Sequence, residues 1–326
     1  MRAVVTGGTG FIGGHLLQGL VARGDDVTSV ERPGANRHWI AHLPLTVSTT
    51  GLDDKAALAR ACDGADVVFH IAGLTRAATL EDYDRANAAG TDAVMRAAAS
   101  HGSRAPHVVM ISSFSAMGSC PPDQLLTART VPNPLSRYGE SKLRAEAVVH
   151  AWADRVPATI LRPTSVYGPR ERGVLLYFRM VRRGLAVSIG DWNREVQLLH
   201  IEDMVRALLR VGDRPHAAGR TWCLAHPERF TWRVFADTVG RAIGRPPRLV
   251  RVPVPVAGAI ARAAELAARL RGRSASLNRD RVRELTQRRW VCDAERAWDD
   301  FDLMPEVPLS VGVPATVAWY REAGWL

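Results

Sequence analysis

The stretch VVTGGTGFIGGHLL, Val4 to Leu17, constrains the fold of this chain more than any other. It sets Gly7, Gly10 and Gly13 in a G-x-x-G-x-x-G spacing, directly after a short apolar run and directly before a helix-length segment. Each glycine has its own use in such a turn. Gly7 lets the chain leave the strand sharply, Gly10 lets backbone approach a pyrophosphate with no Cβ in the way, and Gly13 lets the helix lie close to the strand. The N-terminus of that helix offers free N–H groups and the positive end of its dipole to phosphate. Glycine spacing alone is weak; with a strand before it and a helix after it, the turn reads as dinucleotide-binding. Glu31 ends the second apolar run, 18 residues after Gly13. An acid there accepts hydrogen bonds from the adenosine ribose hydroxyls and points to NAD. Arg32 follows at once and Arg37 is near, and either can pair with the 2′-phosphate of NADP. The cofactor is therefore NAD or NADP, with a lean to NAD.

The runs Ala3 to Thr6, Val27 to Glu31, Leu45 to Val47, Asp66 to Ile71, Val108 to Ser112 and Thr159 to Arg162 alternate with helical segments. That alternation predicts βαβ units and a parallel sheet with helices on both faces, buried strands needing no polar alternation. The expected fold is α/β, a Rossmann-type doubly wound parallel sheet with a smaller C-terminal substrate-binding domain. After about Gly168 the texture changes, as in GRPPRLVRVPVPVAG. QLLHIEDMVRALLRV and RTWCLA are expected to return to the first domain as a helix and an edge strand. The division is then 1–168 with 197–225 for NAD(P), and 169–196 with 226–326 for the substrate. VAGAIARAAELAARLRGR, Val256 to Arg273, is amphipathic with a basic polar face, a pattern that suits a membrane surface. It is read here as a helix packed on the second domain, with Arg in its last turn favoured by the helix dipole.

Apolar residues are 47% and charged residues 23%, which places the chain among ordinary globular proteins. Its net charge of +10 comes from 43 basic and 33 acidic side chains. No basic block interleaved with aromatics accompanies that excess, so it reads as an arginine-coated surface, with no nucleic-acid partner. Cys62, Cys120, Cys223 and Cys292 fit no zinc spacing and suit a reducing compartment. No run is apolar enough for a membrane span, and the N-terminus lacks a signal-peptide pattern, so cytoplasm is the expected location. No metal is expected.

The segments TGGTGFIG, ADVVFHIAG, NAAGTDAVMRAA, VVMISSFSAMG, YGESK, LRPTSVYGP and LLHIEDM follow in this order over residues 1 to about 205. Together with the closing VPATVAWYREAGWL, they resemble the extended short-chain dehydrogenase/reductase family, also described as the NAD-dependent epimerase/dehydratase family. The resemblance implies that Gly7, Thr9, Gly10, Phe11, Ile12 and Gly13 form the pyrophosphate loop. It implies that Ile71, Ala72 and Gly73 line the cofactor and that Asn87 stands near it. Ser113 resembles the catalytic serine, with Ser112 beside it on the cofactor wall, and Tyr138 and Lys142 resemble the catalytic pair. Pro163, Thr164 and Ser165 resemble the loop beside the nicotinamide. In one departure, Gly51 precedes Leu52 where the family often has Asp, so adenine is left to backbone or to neighbours such as Asp53. Family members commonly dimerise through the helix that bears the tyrosine, so a homodimer is expected.

Tyr138 and Lys142, four residues apart, share one helix face. A Y-x-x-x-K pair alone is commonplace; with the glycine turn and Ser113 it becomes a proton-donor helix. Tyrosine ordinarily titrates near 10, and an adjacent ammonium is expected to lower that toward neutrality. Ser113 can hold the substrate oxygen as charge develops on it. His70 and His200 are read as structural. Sugar-nucleotide members of the family usually have Asn where this chain has Ser165, and Arg where it has Val196. Arg194 lies close by in sequence, but its side chain would point differently. The reading is an NAD(P)-dependent oxidoreductase that interconverts a hydroxyl and a ketone on a small, largely apolar molecule. In look it is closest to the dihydroflavonol-reductase and 3β-hydroxysteroid-dehydrogenase branch. The alternatives are a sugar-nucleotide epimerase or dehydratase and, third, a non-catalytic NAD(P)-sensing protein.

Overall fold

Each apolar run of the first half becomes a strand in the computed structural model, which describes residues 1–214, 217–271, 275 and 277–326. The strands are β1 (Arg2–Thr6), β2 (Asp26–Val30), β3 (Thr46–Ser48), β4 (Val67–His70), β5 (His107–Ile111) and β6 (Ala158–Pro163). Among them run α1 (Phe11–Ala22), α2 (Lys55–Cys62), α3 (Leu80–Asp84), α4 (Gly90–Ala99) and α5 (Arg137–Ala151). The chain continues through β7 (Ser165–Tyr167), α6 (Leu175–Arg182), β8 (Leu185–Ile189), β9 (Glu195–Val196), β10 (Leu198–His200), α7 (Ile201–Gly212) and β11 (Thr221–Leu224). It ends with β12 (Phe230–Thr231), α8 (Trp232–Ile243), β13 (Arg248–Val252), α9 (Val254–Leu270), α10 (Arg279–Leu285), β14 (Arg289–Trp290), α11 (Glu295–Phe301) and α12 (Leu309–Glu322).

The central sheet has the order β11-β6-β5-β4-β1-β2-β3, and every neighbouring pair is parallel. Its strands are apolar on both sides because both sides are covered. Val4, Val68, Val108, Met110 and Ile160 face Leu58, Met95 and Val149 of α2, α4 and α5. Val5, Val67, Phe69, Val109 and Leu161 face the opposite layer, with Leu16 and Leu20 of α1 and Met204 and Leu208 of α7. RTWCLA supplies the edge strand β11 beside β6, and α7 packs on α1, as the sequence predicts. Strand order reverses between β1 and β4, which is where a doubly wound sheet opens a crevice at its carboxyl ends.

A third core gathers Phe178, Trp192, Phe235, Val313 and Tyr320 from α6, the β8–β9 loop, α8 and α12. Short pairings frame it: β8 with β13, and β9 between β12 and β14. The helix expected over Val256 to Arg273 forms as α9 and packs Ala257 and Ala261 against Val282 of α10. Arg273 lies outside the described residues. Among the described residues, no helix is long and apolar enough to cross a membrane.

Candidate active site

A cleft of about 1460 Å³ opens over the carboxyl ends of the central strands. At its floor the glycine turn is as tight as its spacing requires. Gly7 has φ +76°, and a Cβ on it would stand 2.6 Å from the Ala72 nitrogen. A Cβ on Gly13 would run into the Gly7 carbonyl. The β1 turn, the β4 turn and α1 are thus in direct backbone contact, and any side chain there would push them apart. Gly10 caps α1, whose first turn carries no acid, so the helix N-terminus faces the cleft unopposed.

The adenosine end lies beside Glu31, which is only 4% exposed. Arg37 Nε stands 3.1 Å from its Oε2, while its Oε1 is buried with no partner among the described residues. A buried carboxylate oxygen left unpaired is costly unless a ligand donates to it, and ribose hydroxyls are suitable donors. Thr164 Oγ1, just past the carboxyl end of β6, is likewise buried with no partner among the described residues. The glycine cradle and these two orphaned oxygens fit a dinucleotide. Arg32, Leu52 and Asp53 line the same end, and Gly51 N donates to the Glu31 carbonyl at 2.8 Å.

Every residue assigned from the sequence lines this cleft except Asn87. Asn87 is buried behind the wall, on a single π turn, Arg85–Ala89, that joins α3 to α4. Its Oδ1 accepts from Leu74 N at 2.8 Å, and its Nδ2 donates to the Leu74 carbonyl at 3.1 Å and to Ser141 Oγ at 2.8 Å. It holds the loop after β4 in place and does not face the cleft. His70 lies 2.8 Å from Thr6 Oγ1 and 3.0 Å from Thr91 Oγ1, and burial pulls its pKa down to about 3. His200 caps α7, accepting from Glu202 N, and burial lowers it to about 4. Both are structural.

Ser113 follows β5 in extended backbone and accepts from Ser115 N at 3.1 Å. Ser136 caps α5, accepting from Gly139 N at 3.1 Å, which places Tyr138 in the first turn and Lys142 one turn later. Lys142 Nζ donates to the Ile111 carbonyl at 2.6 Å. Burial drives the electrostatics of both. It pushes Tyr138 up to about 12, with a hydrogen bond to Ser113 pulling the other way. It pulls Lys142 down to about 8, opposed by the charge of Glu146. The expectation that Lys142 lowers Tyr138 is therefore not met. The charged neighbours that bear on Tyr138 are Glu284, which raises it further, and Arg281, which opposes that. The Lys142 ammonium is turned to the end of β5, and burial disfavours its charge.

Sequence reasoning missed the groups behind and opposite this pair. One turn past Lys142, Glu146 makes a two-pronged ion pair with Arg162 at 2.6 and 2.9 Å and accepts from Ser112 Oγ. The substrate end is walled by Phe114, Tyr83, Val166 and Trp290 with Asn278, Arg281 and Glu284. Residues 275–290 carry no motif; only their place after the change of texture marks them. Val196 is buried in β9, opposite Phe230 and Trp290. Arg194 is buried too, donating to the Asp191 carbonyl at 2.7 Å and to Ser188 Oγ at 2.8 Å. Neither lines the cleft.

The sequence profile of the NAD dependent epimerase/dehydratase family matches residues 3–225. A ceramide reductase of Caulobacter vibrioides is 30% identical over 99% of this chain and 95% of its own length. A 2-alkyl-3-oxoalkanoate reductase of Stenotrophomonas maltophilia is 29% identical over 96% of this chain and 97% of its own. Among solved structures, a UDP-glucose 4-epimerase of Thermotoga maritima superposes with a TM-score of 0.81 over 99% of both chains. At 20% identity, that likeness concerns the fold alone.

Proposed function

The chain belongs to the NAD dependent epimerase/dehydratase family, and from that premise we propose that it is an NAD(P)-dependent oxidoreductase interconverting a hydroxyl and a ketone on a small, largely apolar molecule. One observation carries this reading. Ser113, Tyr138 and Lys142 line a cleft to which neither Val196 nor Arg194 offers a grip on a nucleotide diphosphate. The apolar side chains Phe114, Tyr83, Val166 and Trp290 of the wall and the two reductases described above support the same substrate class. Residues 1–168 and 197–225 form the cofactor domain, and 169–196 with 226–326 form the substrate domain, which closes the substrate end against Tyr83, Phe114 and Val166 of the first. The protein acts in the cytoplasm as a homodimer packed through α5.

When bound, the nicotinamide gives or takes the hydride. The protein handles the substrate oxygen and its proton. With a pKa near 12, Tyr138 carries its proton throughout the neutral range and can give it to the oxygen of a ketone under reduction. Ser113 Oγ donates to the same oxygen, so two hydroxyls meet the charge as it develops. Lys142, held by the Ile111 carbonyl at the end of β5, would donate to a ribose hydroxyl of the bound cofactor. Glu31 and Thr164 supply the acceptors for the sugar ends of the cofactor, and the buried acid leans the choice to NAD.

The test is turnover of medium-chain hydroxyketones and 3-oxo esters by the purified protein, followed by nicotinamide absorbance. Tyr138→Phe is expected to lower kcat by about 10²- to 10⁴-fold with cofactor affinity intact. Unchanged kcat in that variant would overturn the mechanism. Conversion of a UDP-sugar with no net change in nicotinamide would replace the reading with an epimerase.

A further inference from the structure

The outer face of α9 is apolar and bare. Val256 is 49% exposed, Ile260 52%, Leu266 62% and Leu270 82%. With Val254, they make five of the twelve large apolar side chains exposed among the described residues, so the exposure is concentrated on one helix. At about 100° per residue, Val256, Ile260, Leu266 and Leu270 fall on one stripe with Ala259, Ala263 and Ala267. Ala257 and Ala261 turn the other way, onto α10. Arg262 borders one edge of the stripe and Arg271 the other, and both are exposed. The one acid of the helix, Glu265, is turned inward to Arg279, with Nε 2.9 Å from its Oε2. The exposed stripe therefore carries apolar surface and positive edges, with no negative charge.

We propose that α9 docks this protein on the surface of an anionic lipid bilayer, with the stripe in the acyl boundary and Arg262 and Arg271 against phosphate headgroups. The complementarity is that of an interfacial helix. A second copy of the chain fits less well, since a two-fold interface through this stripe would bring its arginine edges close to their own copies. The docked helix packs on an element of the cleft wall. α10, on which α9 packs, carries Asp280, Arg281 and Glu284 of the cleft wall, and Ala275 and Asn278 on the connecting segment line it as well. Docking through α9 would hold this wall, and with it the substrate end, near a bilayer that dissolves an apolar substrate. Only this last step rests on the proposed function; bilayer binding stands without it.

The experiment is flotation of the full chain with vesicles of phosphatidylcholine alone or mixed with phosphatidylglycerol, at physiological salt. Wild type is expected to float with the anionic vesicles and to lose binding when phosphatidylglycerol is omitted. The double variant Ile260→Glu, Leu266→Glu is expected to bind at least about tenfold more weakly, with thermal midpoint, cofactor affinity and turnover of a water-soluble ketone unchanged. Docking is overturned by absence of wild-type flotation or by equal binding of the double variant. It is equally overturned if the variant only converts a wild-type dimer to monomer in sedimentation, which would make the face an interface between copies. Flotation of a wild type that turns over no ketone would sink the oxidoreductase reading and leave docking intact.

Discussion

Lys142 holds its proton against its surroundings. It is 5% exposed, and burial brings it from the usual 10.5 to about 8. Between those values the unfolded chain binds a proton at this side chain that the folded chain does not. Folding stability from this group therefore rises as pH climbs from 8 toward 10.5, and below 8 the burial penalty is constant. Tyr138 acts in the opposite sense, but only above 10, because its pKa is raised from 10 to about 12. Below pH 10 the Lys142 contribution is thus free of it. In urea denaturation, the stability of wild type relative to Lys142→Met is expected to rise from pH 8 to pH 10. A difference that stays flat over that range would falsify the buried-ammonium account. The pairing of Tyr138 with Lys142 was legible because an i, i+4 spacing is a local property. Their pKa values were not, because burial and the Glu146–Arg162 pair arise only when α5 meets β6.

The elements of the first half are the most legible part of the fold. Each strand is a short apolar run bounded by glycine or a helix-length segment, and β1 to β6 fall where those runs lie. The π turn at Arg85–Ala89 escaped notice because RANAA reads as ordinary helix. Its effect is local and testable. It leaves Asn87 aimed at the loop after β4, with both hydrogen-bonding groups of Leu74 satisfied by one side chain. Asn87→Ala is expected to cost about 1–3 kcal/mol, since a half-buried backbone donor and acceptor lose their partners. It should also raise the KM for cofactor more than it lowers kcat, because Asn87 positions the cleft wall and does not touch the reacting atoms. A variant as stable as wild type, with unchanged KM, would remove Asn87 from the account. β9, β12 and β14 were illegible for a different reason. Strands of two residues have no periodicity, and their pairing is set by partners distant in the chain.

Across the whole molecule, the two ends of the cleft differ in how they are specified. The cofactor end is built at the crossover between β1 and β4, where turn chemistry and strand order coincide, so sequence motifs mark it. The substrate end is assembled from Asn278, Arg281, Glu284 and Trp290 and from residues that follow β5 and β6, and only the completed fold brings those together. One consequence is a prediction about the cofactor that tests the molecule as a unit. A ligand bound only by the folded state stabilises it by about 2.7 kcal/mol at a hundredfold excess over Kd. At roughly 2 °C per kcal/mol for a chain this large, that is a rise in Tm on the order of 5 °C. NAD at a given concentration is expected to raise Tm more than NADP, because a 2′-phosphate would sit against the buried, unpartnered Glu31 Oε1. Glu31→Ala removes that repulsion and leaves Arg32 and Arg37 to meet the phosphate. The NADP shift should then rise to meet or exceed the NAD shift. Equal shifts with the two cofactors in wild type would mean that Glu31 does not select between them, and that Arg37, 3.1 Å away, has already neutralised it.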